Sequence, residues 1–279
     1  MPYPAHIAAL AIYPVKSCHG IPLDEAVLTP RGLRHDRRWM IVDADGRFRT
    51  QRELPQLATL RPAIDGDRLL LRFGGEEAAL PLGADAGEPM RVTVWRDTVD
   101  AVCPAPDIDA RLSRWLDRPV RLVRFPESSL RPCDPAFAAA GAHTAFADGF
   151  PLLVTTEASL AELNDALQER AEARVPMTRF RPNLVVAGVP TRTEDRHGRL
   201  QLPHGAALDL VKPCDRCIIT TTDQETGERD SNEPIATLSR IRRNPRTRGA
   251  AFGQNAVPML PPAPVVLHVG EPVAFARPL

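Results

Sequence analysis

The first 125 residues alternate apolar and polar positions in short runs, the period of half-buried strands. HIAALAIYPV, starting at His6, is rich in strand formers and stops at Pro14. RRWMIVDADGRFRTQR turns back on itself around Asp45-Gly46, a dipeptide that favours a tight hairpin turn. DRLLLRF, RVTVWRDTVDAV and PVRLVRF continue the pattern. One helix is predicted among them, over DIDARLSRWLD, where Ile108, Leu112, Trp115 and Leu116 form a single stripe. Many short strands separated by turn signals predict a barrel or a sandwich.

Residues 126–148 are rich in Pro, Ala and polar residues and predict a mobile connection. A second unit then begins at PLLVT. Its helix, SLAELNDALQERAEAR, is expected to open on a capping box of Ser159 and Glu162 and to carry Leu160, Leu163 and Leu167 inward. NLVVAG, RLQL, ALDLV, CIITTT and VVLHVGEPVAF are predicted strands, and Pro234 predicts the start of a short helix. The expected class is mainly β with a few helices (α+β), in two units at 1–125 and 126–279.

Length and composition narrow the function. A chain of 279 residues buries enough core to fold without disulfides. Its 35 cationic and 35 anionic residues cancel, so no global field recruits nucleic acid or an anionic membrane. No apolar run reaches the roughly 18 residues that a membrane span requires. The N-terminus reads as a strand and not as a signal peptide. The expected compartment is therefore cytoplasmic, where the five cysteines (18, 103, 133, 214 and 217) need not pair. Lysine occurs only at 16 and 212. That excludes a P-loop and leaves two candidates for a Schiff base, so pyridoxal phosphate (PLP) is disfavoured.

The strongest local feature is VKPCDRCIITTTDQETG, with Cys214 and Cys217 in one C-x-x-C. A structural zinc site would need further ligands. A thioredoxin-like dithiol would need a helix after it, where β-branched residues stand. A single thiolate ligand or reactive thiol, favoured by Lys212 and Arg216, competes with two ordinary buried cysteines. YPVKSC presents Lys16 and Ser17 after a strand, a pair suited to phosphate; the plainer reading is a solvated loop lysine. GLRHDRRW places Arg37 before a strand, where it also reads as a surface arginine. RFRPNLVVAG fixes Arg181 and Asn183 around Pro182, or they satisfy loop carbonyls. FADGFP carries Asp148, which also reads as a turn cap. Taken together they offer one soft ligand, several cations and polar donors on a β scaffold. Soft thiolates suit thiophilic metals, and the cations suit an organic phosphate.

YPVKSC with GLRHDRRWMIVD resembles the N-terminal β-barrel motif of MOSC proteins, a family named for the molybdenum cofactor sulfurase C-terminal domain. ADGFPLLVTTEASLAELN, RFRPNLVVAG, VKPCDRCIITTTDQETG, EPIATL and FGQN resemble the MOSC domain itself. The motifs run in order over nearly the whole chain. They resemble the subgroup containing the mitochondrial amidoxime-reducing component and bacterial reductases of N-hydroxylated compounds.

The resemblance implies an N-terminal β-barrel-like domain at 1–125 and a MOSC β-barrel domain at 126–279. It implies a molybdenum-pyranopterin (molybdopterin) cofactor with Cys217 as metal ligand and catalytic centre, and Cys214 as a neighbour without a metal bond. Cofactor contacts carry over to Lys16, Ser17, Arg37, Asp148, Arg181 and Asn183, with Arg38 the competitor of Arg37. The implied activity is two-electron reduction of a small N-hydroxylated compound or N-oxide. No cysteine follows Cys217, so no fused iron–sulfur domain is expected. Electrons would come from a separate ferredoxin, flavodoxin, cytochrome or flavoprotein reductase. The alternative is a cofactor carrier or sulfur-transfer module without turnover of its own. Loops at 126–147 and 188–206 are expected to wall the pocket.

Overall fold

A computed structural model describes residues 4–244 and 246–276. Its largest sheet has eight strands, in the spatial order Ile21–Leu23, His6–Ile12, Leu184–Ala187, Leu152–Thr156, Ala251–Met259, Ala207–Asp215, Arg199–Gln201 and Ala274–Ala276. The strand His6–Ile12 pairs antiparallel with Leu184–Ala187, and a bulge between Ile7 and Ala9 shifts its register. The shift moves the alternation by one position, so Ile7, Leu10 and Ile12 all face the core. There they meet Val154, Leu184, Val186 and Leu208. The strand Glu25–Thr29 pairs with Val265–His268 near the other end of the chain. The expected boundary near 125 is thus a division along the chain that the sheets cross.

A second core is built from the intervening residues. A four-stranded sheet runs Trp39–Val42, Arg121–Arg124, Asp97–Cys103, Glu88–Val94, and a three-stranded sheet runs Arg61–Asp65, Arg68–Phe73, Glu76–Pro81. The helix Pro106–Trp115 lays Ile108 and Leu112 of the predicted stripe against Trp39, Ile41 and Leu122. Each such side chain contributes roughly 1.5–3 kcal/mol by leaving water.

The mainly β class holds. Closed barrels do not form among the described strands, because each sheet has two free edges. On the large sheet those edges are Ile21–Leu23 and Ala274–Ala276, three residues each, too short to zip together.

Three local expectations change. The helix Glu157–Gln168 is capped by Thr156, whose hydroxyl accepts from the Ser159 amide at 3.2 Å. Ser159 is buried inside the first turn and bonds the Arg192 amide, so no Ser159 capping box forms. CIITTT is not a strand: Ile218–Thr221 forms one tight 3-10 turn. The Thr220 and Thr221 hydroxyls bond back to the carbonyls of Cys217 and Ile218, at 3.0 and 2.8 Å, which supports the turn against strand propensity. The segment 126–148 is not a loose connection, because Arg131, 3% exposed, holds it. Its guanidinium donates to the carbonyls of Ala145, Ala147 and Asp148 and to Asp97.

The strands Ala207–Asp215 and Ala251–Met259 carry the most consequential irregularity. Pro213 faces Gln254 and Asp215 faces Ala251, so Phe252 and Gly253 together oppose Cys214. Bulges re-aim side chains beside functional sites. Here Gly253 takes φ +77°, and a Cβ would lie 2.7 Å from the Val154 carbonyl oxygen and 2.7 Å from Thr155 Cγ2. Gly253→Ala is expected to lower the unfolding free energy by about 1–3 kcal/mol in urea denaturation. Unchanged stability would show that the bulge is not strained against its neighbours.

Candidate cofactor site

All seven residues marked in the sequence line one cavity of about 290 Å³: Lys16, Ser17, Arg37, Asp148, Arg181, Asn183 and Cys217. This is near the lower end of small-molecule sites. The loop after His6–Ile12 brings Lys16 and Ser17, and the loop before Trp39–Val42 brings Arg37. The loop before Leu184–Ala187 brings Arg181 and Asn183.

Lys16 is 5% exposed, which rules out the solvated-loop reading. Its ammonium donates to the Phe146 carbonyl at 2.8 Å and to Asp148 Oδ1 at 2.5 Å. Burial pushes the Lys16 pKa down, and the Asp148 carboxylate pulls it partly back. Asp148 also accepts from the Trp95 indole at 3.1 Å. Desolvation works to raise its carboxyl, but the Lys16 charge, the hydrogen bonds from Lys16 and Trp95, and nearby Arg52 outweigh that and hold it well below the usual carboxylate range.

Arg37 and Arg181 both sit over the Tyr13 ring, each guanidinium carbon 4.2 Å from its centroid. Burial pushes the Tyr13 phenol up and Arg181 down, the latter to about 10. At neutral pH the phenol is therefore neutral and Arg181 still charged. Arg37 Nη1 donates to Asp36 at 2.7 Å and to Asn183 Oδ1 at 2.9 Å. Asn183 is 1% exposed; its Oδ1 also accepts from the Leu153 amide and its Nδ2 donates to the Ala11 carbonyl. Arg37 and Asn183 thus brace the wall. The competing Arg38 points elsewhere, to the Phe125 carbonyl and Glu127.

Cys217 caps the Ile218–Thr221 turn and is half-buried. Arg52 Nη2 donates to its Sγ at 3.1 Å, while the Arg52 guanidinium stacks 4.5 Å from the Trp95 ring. Cys214 Sγ accepts from Arg216 Nη1 at 2.8 Å. Burial pushes the Cys214 thiol up, and Arg216 offsets part of that rise. Lys212, expected beside the thiols, lies over Phe137 instead. Among the described residues no group of three or more His, Cys, Asp or Glu could hold a metal ion, which removes the closed zinc reading. All five cysteines are free thiols.

Two family descriptions match the chain. The MOSC N-terminal beta barrel domain covers residues 4–119, and the MOSC domain covers residues 142–274. Over 285 residues the chain is 33% identical to Mitochondrial amidoxime-reducing component 1 of Homo sapiens, across 96% of this chain and 82% of the relative. The chain belongs to the MOSC family. This MOSC protein is also 32% identical over 254 residues to Mitochondrial amidoxime reducing component 2 of Bos taurus, covering 85% of this chain and 72% of that one. It is 30% identical over 261 residues to Molybdenum cofactor sulfurase of Oryza sativa subsp. japonica, of which it covers 31%.

The donor set fits the cofactor that the family implies. Lys16, Arg37, Arg52, Arg181 and Arg216 face a wall whose carboxylates are Asp148 and Asp215. Arg216 Nε is buried with no hydrogen-bond partner among the described residues. Arg181 makes a single side-chain hydrogen bond among them, to Gln224 at 3.0 Å. Such a surplus of donors calls for an acceptor-rich anion, which a pyranopterin phosphate is, and Cys217 adds one soft ligand.

The sequence reading missed Arg52, Trp95, Tyr13 and Asp36. Tyr13 and Asp36 lie inside the quoted motifs, whereas the turn that places Trp95, between Glu88–Val94 and Asp97–Cys103 at φ 58°, has no marker in sequence. The residues 188–206 do not wall the cavity; Thr50, Arg52 and Trp95 do.

Because only two lysines exist, ¹³C-lysine NMR resolves the buried one. Lys16 is expected to titrate below the ordinary lysine value, and lower still in Asp148→Asn, which removes the charge that favours its ammonium. An ordinary midpoint, or one unmoved by Asp148→Asn, would contradict the pairing.

Proposed function

We propose that this MOSC protein holds a molybdenum-pyranopterin cofactor in the cavity and reduces N-hydroxylated compounds or N-oxides. The observation that carries the reading is the half-buried thiol of Cys217, with that of Cys214, in a cavity lined by five cationic side chains. Relatives named for amidoxime reduction support the substrate class. When bound, the cofactor supplies two-electron redox chemistry at molybdenum.

The chain's own residues do the rest. Cys217 Sγ would hold the metal, and the Arg52 guanidinium that donates to it would orient that sulfur. Lys16, Ser17 and the unsatisfied donors of Arg181 and Arg216 bind the phosphate and ring acceptors. Arg37, Asn183 and Asp148 position them through the contacts described above. Ser17 lines the cavity in the left-handed region, at φ 67°. Overall, an N–OH substrate takes up two electrons and two protons and releases the N–H compound and water. The electrons come from a separate redox protein, and the reaction takes place in the cytoplasm.

Benzamidoxime reduction with a chemical electron donor tests this in protein purified from a cofactor-competent host. Cys217→Ser is expected to lose more than about 100-fold in rate, beyond the 10–100-fold that outer-shell changes cause, while Cys214→Ser stays within that range. Molybdenum by mass spectrometry, with no turnover of any N-hydroxylated compound by the wild type, would replace the reductase with a cofactor carrier or sulfur-transfer module. Absence of molybdenum would reject both.

A further inference from the structure

A second cavity, of about 580 Å³, opens on the other side of the loop that carries Arg37. Arg37 lines the first cavity and its neighbour Arg38 the second. Arg31, Arg34, Arg38 and Arg124 line it, against Glu127 and Asp67. Glu127 alone serves three of these cations: Arg31 at 2.8 Å, Arg38 at 2.5 Å and Arg124 at 3.8 Å. Its own side chain is 64% exposed, so solvent weakens each pairing. Asp85 contacts Arg124 as well, and Arg34 has no ion-pair partner among the described residues.

The donors left over are buried ones. Arg124 is 6% exposed and Trp39 is 0% exposed, yet Arg124 Nε and Trp39 Nε1 lack hydrogen-bond partners among the described residues. Arg31 Nε and Arg38 Nε are unpartnered too. A buried donor without an acceptor is unfavourable, more so when charged, and four in one wall form a standing demand for acceptor oxygens. Around them Leu33, Leu82 and the Trp39 ring give the cavity an apolar side.

We infer that this cavity is a second ligand site, distinct from the cofactor cavity, for a small organic anion: a phosphate or carboxylate head group on an apolar body. Planar guanidinium groups match both oxyanions bidentately, and the volume falls within the range of small-molecule sites. A macromolecular acidic partner suits the site less well, because the orphaned donors are buried in the wall.

Three tryptophans, at 39, 95 and 115, make the site visible. Trp39 lines the second cavity and Trp95 the first. In ¹H–¹⁵N spectra of the full chain, assigned by Trp→Phe variants, phenyl phosphate and benzoate serve as probes of the two head groups. At least one is expected to shift the Trp39 indole signal saturably. Arg38→Gln and Arg34→Gln are each expected to weaken that binding about tenfold, as loss of a charge-assisted contact does, while Arg181→Gln leaves it within about twofold. Arg34 is exposed, so its variant retains the fold even if buried arginines do not tolerate change. A Trp39 signal unmoved by both probes, shifts confined to Trp95, or wild-type affinity in the Arg34 and Arg38 variants would overturn the assignment. The outcome is independent of molybdenum binding or reductase activity.

Discussion

Lys16, Arg37, Arg52, Arg181 and Arg216 share one cavity wall with Asp148 and Asp215, and the rest of the molecule is arranged to keep those charges together. Two like charges about 4 Å apart repel by roughly 4 kcal/mol at an effective dielectric of about 20. The protein offsets this in two visible ways. Tyr13 places a neutral aromatic ring beside both Arg37 and Arg181, and the buried Asp36 accepts from Arg37. What remains is an excess of cationic over anionic side chains in the lining, which favours an anion there before any chemistry is assigned.

Holding that wall requires an unfavourable backbone. Ser17, Arg37, Trp95 and Arg181 all line the cavity in the left-handed region, at φ 67°, 45°, 58° and 56°. None is glycine, and each such residue persists only where its surroundings over-determine it. The determinants come from distant parts of the chain. The Lys16 amide bonds the Trp39 carbonyl, the Arg37 amide bonds the Tyr13 carbonyl, and the Ala11 amide bonds the Asn183 carbonyl. Arg131 fixes the backbone at 145–148 just ahead of the strand Leu152–Thr156. The first strand's place in the large sheet therefore also shapes the cavity: it brings Lys16 and Ser17 to the wall that Arg181 and Cys217 line.

Much of this was legible in the chain. The strand pattern, the helix with Ile108 and Leu112, and the seven residues that meet in one cavity all have local signals in sequence. What was not legible depends on contacts remote in sequence. Arg52 follows the Asp45-Gly46 hairpin with nothing nearby to mark it, and it reaches Cys217 only because two distant loops pack together. Strand propensity misread CIITTT, since threonine hydroxyls that bond back to the preceding carbonyls support a turn as readily as a strand. The 126–148 segment looked loose by composition, and one buried arginine holds it. Arg37 and Arg38 could not be told apart in sequence; Arg37 lines the first cavity and Arg38 the second.

X-ray absorption at the molybdenum edge addresses the central claim most directly, on protein purified from a cofactor-competent host. If Cys217 binds the metal, the wild type shows one sulfur neighbour more than Cys217→Ser, and Cys214→Ser matches the wild type. The same sulfur count in wild type and Cys217→Ser, or no molybdenum in the wild type, would contradict it.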